Sequence, residues 1–108
     1  MSVKISIAEV KRRLKPGTVY TGEFIGRNAH HAPPGMKITQ RKVVSNKTQI
    51  VSEFIDGPKI GQNIYLSWNN VTAVESDGSI ILTMNEINPP EDFLKVTIAD
   101  EVLTKSAN

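Results

Sequence analysis

Residues 1–47 contain ten Lys or Arg and two Asp or Glu, whereas residues 48–108 contain three and nine. The two stretches carry +8 and −6 by count, within an overall charge of +2. Cations at that density are the residue types that neutralise phosphate, and the release of condensed counterions would make such binding steeply salt-dependent. Lys11, Arg12 and Lys15 share one flank of a helical wheel, with Arg13 on the far side beside Glu9. Lys37 and Arg41 are assigned to one face of a strand, Lys42 and Lys47 lie near the turn after it, and Arg27 enters a proline-rich loop. Together these eight form the candidate nucleic-acid contacts: Lys11, Arg12, Lys15, Arg27, Lys37, Arg41, Lys42 and Lys47.

Bases also stack on aromatic side chains carried by strands. Phe24, Phe54 and Trp68 fall in register with aliphatic neighbours and read as core. Tyr65 points the opposite way to Ile64 and Leu66 on a regular strand, and Tyr20 has a polar tip, so these two are the candidate stacking platforms.

Other chemistry finds little support. His30 and His31 are adjacent, so in extended backbone their side chains diverge, and the spacing typical of zinc ligands is missing. Glu23, Glu53, Glu75 and Glu86 read as solvated strand positions rather than an acid-base pair. Gly57-Pro58-Lys59-Ile60-Gly61 lacks the spacing and following helix of a phosphate loop and reads as a turn. The absence of cysteine removes disulfides, thiol nucleophiles and Cys-based zinc sites. These features predict a non-catalytic protein without metal or cofactor.

The elements that must hold these residues follow from local patterns. Ser6 and Glu9 have the spacing of a capping box, Ile7, Val10 and Leu14 share one side of a helix, and Pro16 stops it, which predicts a helix over 6–15. From Thr18 onward, β-branched and aromatic runs alternate with turn formers and predict strands over 18–26, 36–45, 48–55, 63–68, 71–75 and 79–84. The inner faces are assigned to Ile64, Leu66 and Trp68, to Ile50 and Phe54, and to Met36 and Ile38, with Lys37, Gln49 and Glu53 outward. Between Tyr20 and Gly26, glycines alternate with aromatics on one face, as a strongly bent strand with bulky neighbours requires. Residues 27–35 read as an exposed loop held partly extended by Pro33 and Pro34. A strand over 93–98 is expected near the end, followed by a short helix or frayed tail.

The 108 residues, 39% apolar and 22% charged, fit one globular domain over 1–108. No stretch approaches the ~20 apolar residues of a membrane helix. The basic N-terminus lacks the apolar run and cleavage site of a secretory signal, and with the missing cysteines this predicts a cytoplasmic protein. The expected architecture is α+β and mainly β: a short N-terminal helix packed on a small antiparallel barrel or roll of five to six strands, SH3-like or OB-like in shape. The function it predicts is binding of DNA or RNA through the basic N-terminal half. The alternative is a protein-interaction or self-assembly module, forming a homo-oligomer through oppositely charged faces.

Overall fold

The computed structural model describes residues 2–98. Its elements are β1 (Ser2–Ile5), α1 (Ile7–Arg13), β2 (Val19–Phe24), α2 (Arg27–His31), β3 (Ile38–Ser45), β4 (Gln49–Phe54), β5 (Asn63–Ser67), β6 (Val71–Ser76), β7 (Ser79–Met84) and β8 (Glu91–Ile98). All eight strands join one antiparallel sheet in the order β1-β6-β7-β8-β2-β3-β4-β5. The mainly β class is as expected, but the sheet is open and has eight strands rather than five or six closed into a barrel.

Local chemistry explains the agreements. Ser6 caps α1, its hydroxyl accepting the Glu9 backbone N–H at 3.1 Å. Only half of the capping box forms, because the Glu9 carboxylate turns to Arg12 and Arg13 instead. At the other end of α1, the Asn46 side-chain amide donates to the Lys11 and Leu14 carbonyls at 2.9 and 3.0 Å. Those carbonyls lie in the helix's last turn, and the turn between β3 and β4 thereby fastens the helix to the sheet. Asn70, Asp77 and Gly78 adopt positive φ in the tight connections that flank β6, as Asn, Asp and Gly tolerate.

Two elements depart from the sequence reading. β1 pairs with β6 although it is only four residues long. Arg27–His31 forms the helix α2 instead of an extended loop, and the proline pair begins just beyond it. Gly26 makes the turn into α2 possible: its φ is +60°, and a Cβ there would collide with the Asp92 carbonyl oxygen. Among the described residues no helix is long and apolar enough to cross a membrane. The expected helix or tail after residue 98 lies outside the described residues.

The core lies on the concave face of the curled sheet. Val10 and Leu14 of α1 are fully buried there with Val43, Leu82 and Val96, each at most 1% exposed. Ile50, Phe54 and Trp68 face inward as assigned, whereas Met36 is buried and Ile38, two residues on, is 56% exposed. Met36 precedes β3, and only from Ile38 does the chain alternate as a strand, so parity does not carry across that boundary.

Candidate functional site

The sheet register sets a row of three side chains on the concave face. Tyr20 of β2 pairs with Arg41 of β3, and Arg41 pairs with Phe54 of β4. Strand alternation sends Thr39, Arg41 and Val43 inward together, so Arg41 is 2% exposed. Its guanidinium lies over Gly22, where a Cβ would stand 2.7 Å from Cζ. The gap that the glycine opens between Tyr20 and Phe24 is filled by this cation.

Around the guanidinium the partners are mostly aromatic. Cζ lies 5.1 Å from the Phe24 ring centroid, 5.2 Å from Phe54 and 6.0 Å from Tyr20. Nε donates to Thr39 Oγ1 at 3.2 Å, and among the described residues Nη2 finds no partner. A buried ion costs several kcal/mol after relaxation, and each desolvated cation–π contact returns about 0.5–2 kcal/mol. The rings therefore offset much of the cost of the charge, while the unmatched N–H still costs about 1–3 kcal/mol. The arrangement holds a cation ready for an acceptor that the described residues do not supply.

Arg41 borders a cavity of about 170 Å³ on the inner face of the sheet, reached by Leu14 at the end of α1. Leu14, Ile50, Leu66, Leu82, Phe93 and Val96 give it apolar walls, and the edge strand β5 forms part of its rim through Ile64, Tyr65 and Leu66. Besides Tyr65 at the rim, the lining hydroxyls are the pair Tyr20 and Ser52, whose oxygens lie 2.7 Å apart. One hydroxyl hydrogen joins the two oxygens, which leaves the second available to donate. Chemically, the cavity offers an apolar body site with one fixed cation and one spare hydroxyl donor.

This geometry corrects several assignments. Arg41 faces the interior, not the strand face it was assigned with Lys37, and so cannot touch a phosphate backbone from outside. Lys37 precedes β3 and is exposed. Tyr20 is 2% exposed and bonded to Ser52, which removes it as a stacking platform; Tyr65 is 59% exposed on β5. The sequence signal for Arg41 was the Tyr20-Thr21-Gly22-Glu23-Phe24 spacing, whose gap demands a long side chain from the neighbouring strand.

The other cations divide into groups. Arg12 is held by Glu9 at 2.9 and 2.5 Å, and Arg13 by Glu9 at 2.7 Å and Glu75 at 3.1 Å. Hydrogen bonds from Arg12, then Arg13, draw the Glu9 carboxyl down from 4.5 to about 2. Both guanidinium pKa values are raised in return, Arg12 by Glu9 and Arg13 by Glu75 ahead of Glu9. Arg27 sits 3.6 Å from Glu91, whose carboxylate also accepts the Arg27 backbone N–H at 2.6 Å. Lys11 lies 5.7 Å above the Trp68 ring.

Four lysines lie on chain segments that are tied together near the end of α1. The Asn46 bonds bring Lys47 beside the end of α1 that carries Lys11 and Lys15. Gly17 N–H donates to Val43 O and Val43 N–H to Thr18 O, which sets Lys42 near the same chain segment. Lys37 lies at the opposite end of β3, where its carbonyl accepts the Phe24 N–H at 2.8 Å. Among the described residues there is no cluster of three or more His, Asp or Glu arranged to hold a metal ion. No protein-family model matches the chain, and neither the curated proteins nor the solved structures contain a match.

Proposed function

We propose that this protein is a non-catalytic binding protein for a small molecule that joins an anionic head to an apolar body. The buried Arg41 guanidinium carries the proposal: Arg41 lines an apolar cavity, and among the described residues its Nη2 has no partner and its Nε only the Thr39 hydroxyl. An anion seated there balances the guanidinium's charge in a low-dielectric site, where charge-assisted hydrogen bonds are strongest. The apolar walls supply affinity by covering the ligand's body, and the cation fixes its orientation. Binding is all the site has to do; the proposal contains no bond-making step.

The test compares hexanoate, hexanol and hexylamine by calorimetric titration. Hexanoate should bind, and Arg41→Met should weaken it by about 10- to 100-fold, the worth of one charged hydrogen bond. The same variant should gain about 1–2 kcal/mol of stability, because an apolar isostere removes a buried charge. Equal binding of hexanol and hexanoate would refute the anionic head.

Nucleic-acid binding is a second reading, on a footprint narrower than the sequence implied: Lys11, Lys15, Lys42 and Lys47 at the α1 end of the sheet. On this reading Lys15→Glu with Lys47→Glu abolishes salt-sensitive binding to short DNA and RNA in fluorescence anisotropy, with the thermal melt unchanged. Retained binding in that double variant would remove the lysine end from the footprint.

A further inference from the structure

We infer that the cavity selects monocarboxylates whose apolar body has about six carbon atoms, a hexanoate- or benzoate-sized acid. This rests on the reading of Arg41 as the anchor of an anionic head, and adds the head's chemistry and the body's size.

The head group follows from the donors. Among the described residues Arg41 is the one charged residue that lines the cavity, and its Nε is already given to Thr39, so one negative charge is the matching complement. The hydroxyl hydrogen left over by the Tyr20–Ser52 pair is a further donor inside the cavity. A carboxylate has two oxygens in a plane and matches a guanidinium edge. A phosphate monoester brings a third oxygen and up to two charges, which would stand unmatched against Leu and Phe walls. A dicarboxylate would bury its second charge among the same residues.

The body's size follows from the volume. A cavity of ~150 Å³ lined by Leu, Ile and Phe holds one benzene. The cavity here measures about 170 Å³, enough for one ring or a chain of similar bulk. A chain about twice that length must leave the cavity past β5 or force the close-packed walls apart. Affinity should therefore climb with chain length and then turn over, whereas a surface that merely attracts amphiphiles keeps gaining with every methylene.

The experiment titrates the full chain with straight-chain acids from acetate to dodecanoate, and with benzoate, adipate and hexyl phosphate. Affinity should rise about fourfold per methylene as far as hexanoate, and benzoate should match hexanoate. Dodecanoate, adipate and hexyl phosphate should each bind at least about tenfold more weakly, since overpacking or an unmatched charge costs that much. Leu66→Ala, which trims a half-buried wall residue, should move the optimum to a longer acid. Dodecanoate binding as tightly as hexanoate, hexyl phosphate binding equally well, or an optimum unmoved in Leu66→Ala would overturn the size and head-group assignment. If several acids bind without a length optimum and Arg41→Met abolishes them all, the anchor stands and the size claim falls. If hexanoate binds equally to the native chain and Arg41→Met, the anchor itself falls.

Discussion

Arg41 shows how one residue's orientation can redirect a functional reading. Its neighbours in Ile38-Thr39-Gln40-Arg41-Lys42-Val43-Val44 give both faces of β3 a cation and apolar residues, so alternation does not choose which face is inner. Charge alone assigns Arg41 outward, and packing sends it inward. The deciding residue is on the next strand: Gly22 leaves the space that the guanidinium fills. Gly22→Ala tests this directly. The new Cβ would stand 2.7 Å from Arg41 Cζ, and the cation has to move away from Phe24 and Thr39. A well-folded Gly22→Ala protein should bind hexanoate at least about tenfold more weakly, as expected when a charged hydrogen bond is misplaced. Unchanged affinity would mean that the guanidinium's seat over Gly22 is immaterial to binding.

At the scale of elements, what the sequence revealed were the hairpins and the capped helix, because each depends on signals a few residues apart. Asp77-Gly78, Asn69-Asn70 and Ser6 with Glu9 are such signals. The pairings of β8 with β2 and of β1 with β6 join residues far apart in sequence, and no local pattern announces them. They change a five- or six-stranded barrel into an open sheet of eight strands. α1 also carries a pH-sensitive fastening, in which Glu9 holds Arg12 and Arg13 and Arg13 reaches Glu75 on β6. The Glu9 carboxyl titrates near 2 in the folded chain against 4.5 ordinarily. A depressed folded value means that its stabilisation is complete above the ordinary value and is lost as the pH falls from there through about 2. Acid unfolding followed by circular dichroism should accordingly show Glu9→Gln losing stability at neutral pH, and converging on the native chain by the acid end of that window. A constant gap between the two proteins from neutral pH to pH 2 would contradict the fastening.

For the whole molecule, sheet order matters more than the order of charges along the chain. The acidic half was expected on a face of its own, yet the strand order interleaves the halves. Glu75 meets Arg13, Glu91 meets Arg27, and Glu53 sits across from Lys42 in the register. The surface is therefore mixed over much of its extent. The same sheet borders the cavity, and its most unusual feature is a cation without a counterion among the described residues. The most direct measurement of the central claim is a crystal structure grown with hexanoate. A carboxylate oxygen should lie at about 3 Å from the Arg41 guanidinium, with the chain between Leu66 and Phe93. Hexanoate found only on the outer surface, or lying in the cavity with its carboxylate turned away from Arg41, would contradict it.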